Sequence, residues 1–369
     1  MKSKKIREGL FGGLLGVISV IPFLFSMSKI LDKIALLDIF WIIIILILSF
    51  VVIIFIHELG HLVMGLLTGY KFVSFRMFRL HIQKEEGKYK IYNKGIPGTL
   101  GQCLMLPPKG KEVPIFWYNF GGVLFNLITA LISIIVIFTS SSYWVLVTAN
   151  IMFTLSLILG ISNWMITDGV PNDGANYKSC KKYPESRLSF YYVTYINALL
   201  TQGKRLTEID LSELSNIDFK VSEAVQLNAL TFVSSQKQFL NDLEGYKNLM
   251  AKAHEETKGK VGIIDNIINT EYYFMMLVND YESSHLYKTK EVTMIMQQMK
   301  NELAIQMFGL YEEYKKTGIL DEVSYQKFLE NCKYSDQKGL GADLLDYSKV
   351  LFDIEDESKF SINRKVKEN

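Results

Sequence analysis

The chain has 369 residues, room for two or three domains, and its 40 Lys and Arg against 38 Asp and Glu leave a net charge of +2. That balance, with no clustered basic stripe, excludes the usual electrostatic footprint of a nucleic-acid-binding protein. The three cysteines, Cys103, Cys180 and Cys332, are scattered singly without a CxxC pair, so they read as reduced thiols rather than a disulfide framework.

The front half is apolar and the back half polar. Lys2, Lys4, Lys5 and Arg7 precede an uncharged run from Gly9 to Ser28. The run is long and lacks a small-residue cleavage site after it, so it is expected to be a retained transmembrane helix and not a signal peptide. Gly12 and Gly16 within it stand in GxxxG spacing, compatible with close helix packing.

A second span is expected over residues 37–67. Between Ile39 and Ile56 there is no charged residue, and the run closes on His57-Glu58-Leu59-Gly60-His61. Two histidines four apart share one helix face and can reach one metal ion, with the intervening glutamate beside the water on that ion. This is the HExxH arrangement of metallopeptidases. Its place at the end of a membrane run sharpens the signal, because ionisable groups in a bilayer are costly and mark function by default.

The loop from Lys71 to Lys111 is polar and basic. Arg76–Gln83 and Lys88–Tyr92 flank Glu85-Glu86-Gly87, which predicts a small β-hairpin. Pro97, Gly98, Gly101, Pro107 and Pro108 are expected to break regular structure after it. From Val113 to Thr167 no residue is charged, too long for one helix, so Ser140-Ser141-Ser142 is read as a turn between a third span, about 115–138, and a fourth, about 143–166.

Lys and Arg concentrate in the amino-terminal segment, in 68–112 and after 175, whereas the connections at 29–38 and 139–142 hold only Lys29 and Lys33. The positive-inside bias then expects a multi-pass cell-membrane protein with both termini in the cytoplasm. The expected domains are a four-span membrane unit, 1–175, and a cytoplasmic helical unit, 176–369. Amphipathic periodicity in the latter predicts helices over 185–200, 222–239, 261–278 and 292–314. Gly203 and Gly318 are expected helix stops. The overall class is mainly α: a polytopic helical core with a small β-hairpin, then a tetratricopeptide-like array or an irregular bundle.

A catalytic zinc site takes three protein ligands and leaves one position open. His57 and His61 supply two, and on chemistry alone either Asp168 or Asp173, after the fourth span, is a candidate for the third. At this point the chain resembles the site-2 protease family of intramembrane zinc metallopeptidases. His57–His61 matches its HExxH motif, and Gly121-Gly122-Val123-Leu124-Phe125-Asn126 resembles GGPxxN with Val123 in place of proline. Pro171-Asn172-Asp173-Gly174 is similar to the late motif that carries the remaining ligand.

The resemblance implies Zn²⁺ held by His57, His61 and Asp173, Glu58 as proton carrier, and Asn126 holding the substrate backbone or its oxyanion. It covers about residues 37–176 and says nothing of the rest. The expected activity is hydrolysis of membrane-anchored proteins or peptides: a signal-peptide remnant, a peptide precursor or an anchored regulator. A protein partner is expected for the helical region. The competing reading is a membrane receptor or scaffold with a peptide-binding helical domain and a non-catalytic metal site.

Overall fold

The computed structural model describes residues 20–30, 35–85, 87–93, 100–110, 113–165, 172–257 and 263–354. The start of the first expected span, with Gly12 and Gly16, lies outside them, as do Pro97, Gly98 and Asp168. The chain divides into two compact units, one holding the described residues up to 165 together with 172–177, the other the remainder from 178.

In the first unit, among the described residues, an apolar helix α1 (Val20–Ile30) precedes three helices long and apolar enough to cross a membrane: α2 (Asp38–Leu67), α3 (Ile115–Thr139) and α4 (Tyr143–Trp164). Each carries large apolar side chains open to the outside, among them Ile43, Leu48, Leu131, Ile135 and Ile158, all more than half exposed. Such faces suit a hydrocarbon solvent. The inward faces are small or polar: Gly60 of α2 and Gly121 of α3 press backbone on backbone, each where the other's side chain would stand. Ser26 of α1 hydrogen-bonds Asn150 of α4 at 2.8 Å, satisfying polar groups that lipid cannot.

Between α2 and α3 the structure corrects the hairpin expectation. Four antiparallel strands, β1 (Lys71–Met77), β2 (Leu80–Glu85), β3 (Lys88–Asn93) and β4 (Gly101–Leu106), lie in the order β3-β2-β1-β4. The supposed single strand Arg76–Gln83 is two, divided by a turn in which Phe78 takes φ 51°. Gly87, at φ +80°, closes the β2–β3 hairpin as expected. Gly101, an expected breaker, instead opens β4, whose neighbour β1 pairs Phe75 with Cys103 and Arg76 with Gln102.

The second unit is helical. Its elements are α5 (Asp173–Lys182, whose first turn belongs to the first unit), α6 (Pro184–Thr201), α7 (Ser212–Ser215), α8 (Ala224–Phe239), α9 (Leu243–Thr257) and α10 (Ile263–Asn279). They continue with α11 (Tyr281–Ser284), α12 (Lys290–Gln298), α13 (Leu303–Thr317), α14 (Glu322–Lys333) and α15 (Lys338–Leu351). Three expected helices match α6, α8 and α10, and Gly318 ends α13 in the left-handed region. The expected helix over 292–314 is instead α12 and α13, because Glu302 is extended and the Asn301 carbonyl is taken by the Gln306 side chain.

Among the described residues two cores fill this unit. One gathers Leu200, Leu206, Leu230, Val233, Tyr246, Met250 and Met275, the other Phe274, Phe308, Tyr325, Phe328 and Tyr347, with α10 feeding both. Helix α15 returns to pack on α6 and α8. Open repeat stacks touch only sequence neighbours, and the return of α15 to α6 and α8 departs from that pattern.

Candidate metal centre

Helix α2 presents His57 and His61 one turn apart, both 8% exposed. Their Nε2 atoms are 3.1 Å apart, and Asp173 Oδ2 lies 3.3 Å from the first and 3.4 Å from the second. A tetrahedral ion with ligand bonds of about 2.0–2.1 Å needs ligand atoms roughly 3.3–3.4 Å apart. The triangle therefore has the edges of one face of such a tetrahedron, and a donor set of two imidazoles and one carboxylate fits zinc. Asp173 Oδ2 is also buried without a hydrogen-bond partner, a costly state for a carboxylate oxygen unless a cation takes it. Burial opposes the charge of Asp173, yet the His61 and His57 rings facing it hold its pKa at about 2. It is the anionic form that a metal requires.

What brings Asp173 there is the joint between α4 and α5. Asn172 Nδ2 donates to the carbonyls of Ser162 and Met165 at 3.1 and 2.7 Å, closing the end of α4, while its Oδ1 accepts from Ala175 N–H at 2.8 Å to start α5. Gly174 lies against the Trp164 carbonyl, leaving no room for a side chain. Tyr177 stacks on the Trp164 ring at 5.6 Å, with Phe116 across its edge at 5.1 Å. Asp168 lies outside the described residues.

Helix α3 lines the other side. Gly122 faces both imidazoles: a methyl group there would stand 2.6 Å from His57 Nε2 and from His61 Nε2. The backbone carbonyl of Tyr118 lies 2.8 Å from His61 Nδ1, and the Asn126 carboxamide 3.1 Å from His57 Nδ1. Val123, standing where the resembled motif has proline, continues the helix without a break.

Glu58 points to the sheet side. Its carboxylate accepts the backbone N–H of Cys103 on β4, and Gly101 makes room for it, since a Cβ there would be 2.8 Å from Glu58 Cγ. The Cys103 carbonyl accepts from Tyr118 Oη at 2.8 Å. The outer edge of β4 is thus occupied at Cys103 by the two helices of the centre, and the far edge of the sheet is β3. Burial and nearby Glu58 push the Cys103 thiol up, so it stays protonated.

The structure brings His57, Glu58, His61, Asn126 and Asp173 together. Gly122, Asn172 and the backbone groups of Cys103 and Tyr118 were not singled out in the sequence; the first two lie inside quoted motifs, and backbone donors leave no side-chain signal. A family model described as peptidase family M50 matches residues 45–306, more than two thirds of the chain and every residue of the centre. Searches among curated proteins and among solved structures gave no match.

Proposed function

The chain belongs to peptidase family M50, and from that premise we propose that it is an intramembrane zinc metalloprotease of the site-2 type, cutting membrane-anchored proteins or peptides. Membership makes it a membrane metallopeptidase; zinc, the membrane depth of the cut and the substrate class are the proposal. The observation that supports it best is the triangle of His57 Nε2, His61 Nε2 and Asp173 Oδ2 with edges of 3.1–3.4 Å, beside the carboxylate of Glu58.

Zinc, held by those three residues, would supply Lewis acidity toward a scissile carbonyl and toward water. Glu58 takes the proton of the attacking water at its carboxylate and delivers it to the leaving amine. The Cys103 N–H lies beside that carboxylate on the sheet side. A receptor with a non-catalytic metal site does not require a glutamate between the two histidines.

Substrate helices hide their peptide bonds in internal hydrogen bonds and must unwind to be cut. Pairing an unwound stretch as an added strand on the far edge of the sheet would use β3, three strand spacings or roughly 14 Å from β4. We therefore place the cut bond at the α2–α3 side of β4. Proline at Ile91, whose N–H faces away from β2, is expected to leave cleavage intact, and loss of cleavage would point to substrate binding at the β3 edge. Both termini are proposed to be cytoplasmic, with the helical unit taking a protein partner there.

The test is a comparison of cells making wild type or Glu58→Gln, reading membrane peptides and released fragments by mass spectrometry. Fragments present only with wild type are expected. Identical profiles, with both proteins zinc-loaded, would end the protease reading.

A further inference from the structure

We infer that Asn126 is a positioning residue of the metal centre: its carboxamide oxygen accepts the Nδ1–H of His57 and aims that ring's Nε2 lone pair at the metal position. The inference rests on the metalloprotease reading and deepens it. It replaces the role that the motif resemblance implies, in which Asn126 binds the substrate backbone or the oxyanion.

Burial argues first. Asn126 is 0% exposed, behind the imidazole of His57, whereas a group that meets substrate needs a face toward the side substrate enters. Its carboxamide is 3.1 Å from His57 Nδ1. Two arrangements satisfy that distance. If Nδ2 donates to a bare Nδ1, the ring proton sits on Nε2, pointing among His61 Nε2 and Asp173 Oδ2, and no lone pair remains for a metal. Asn126 Oδ1 is then left buried and unpartnered, at a cost of about 1–3 kcal/mol. A half-turn of the amide, which exchanges Oδ1 and Nδ2, moves the partnerless position to Nδ2 but cures the first defect: Oδ1 accepts from Nδ1–H, and Nε2 is free to ligate.

The two histidines are then treated alike. His61 Nδ1 lies 2.8 Å from the Tyr118 carbonyl, an oxygen that only accepts, so its ring also carries the proton on Nδ1 and the lone pair on Nε2. One helix, α3, thus orients both rings: Tyr118 through its backbone, Asn126 through its side chain. Gly121 and Gly122 between them let that helix approach closely enough to do so. Ligand imidazoles commonly depend on such an outer acceptor for tautomer and orientation. The sharp consequence is that His57 relies on a replaceable side chain, and His61 does not.

The experiment measures zinc affinity by chelator competition on full-length protein in detergent, for wild type, Asn126→Leu and Asn126→Asp, with Co²⁺ absorption spectra of each. Leucine has similar bulk and no acceptor; aspartate keeps one. Zinc binding by Asn126→Leu is expected to weaken about 10- to 100-fold with altered Co²⁺ bands, while Asn126→Asp stays within about threefold of wild type. Two results overturn the inference. One is Asn126→Leu holding zinc as wild type does while kcat falls at full zinc loading, which would assign Asn126 to the substrate; the other is Asn126→Asp as weak as Asn126→Leu. A wild type that takes up no zinc fails the metalloprotease reading itself, a separate outcome.

Discussion

Adjacent glycines on α3 do different work, and Gly122→Ala separates the metal from the fold. The new methyl group stands 2.6 Å from both His57 Nε2 and His61 Nε2, where nonbonded contact wants roughly 3.5 Å. Both rings, or the helix, must retreat by about 0.9 Å, several times the roughly 0.2 Å that a metal site tolerates. Zinc affinity should therefore fall at least on the order of 100-fold, the upper end of what losing an outer contact does. The helix itself is not weakened, because alanine is favoured over glycine by about 1 kcal/mol within a helix. Gly121→Ala instead drives a methyl into the Gly60 carbonyl and should lower the melting temperature of the apoprotein. Chelator competition for zinc and thermal melting without metal read the two effects. Wild-type zinc affinity in Gly122→Ala would refute the reasoning.

Gly174→Ala meets the Trp164 carbonyl, displaces Asp173 and should cost zinc, whereas Gly65→Ala meets the movable thioether of Met105 and should leave zinc content unchanged in elemental analysis. In the helical unit, Asp343 accepts from Arg205 Nε, Leu206 N–H and the Thr207 hydroxyl. Asp343→Ala strands these donors and is expected to destabilise by about 3 kcal/mol, seen as lost hydrogen-exchange protection in α6 and α15. Burial raises the Glu271 carboxyl from 4.5 to about 7. A raised folded pKa means its contribution is complete below pH 4.5 and lost as pH climbs through 7. With its partial exposure allowed for, that is on the order of 2 kcal/mol, and Glu271→Gln should flatten the pH dependence of melting between those values.

Three of the spans were legible because charge-free runs of membrane length admit few alternatives, and His57, Glu58 and His61 because helical spacing fixes their common face. Asp173 needed more: composition left it level with Asp168, and only the Asn172 bridge between α4 and α5 explains how a residue nine beyond the end of α4 returns to α2. The sheet was half legible. Gly101 looks like punctuation until one sees that it must lack a side chain to lodge Glu58 within a strand. The division of 292–314 was hidden because apolar periodicity runs through a break made by Asn301 and Glu302. Asn126 was found for its motif, but its burial against His57 could not be read from sequence spacing.

The central claim is a zinc site of three ligands drawn from α2 and the start of α5. Its most direct test is zinc per chain, by elemental analysis, in wild type, Glu58→Gln, Asp168→Ala and Asp173→Ala. One zinc in the first three and none in Asp173→Ala is the predicted result. Zinc retained by Asp173→Ala and lost from Asp168→Ala would contradict the account.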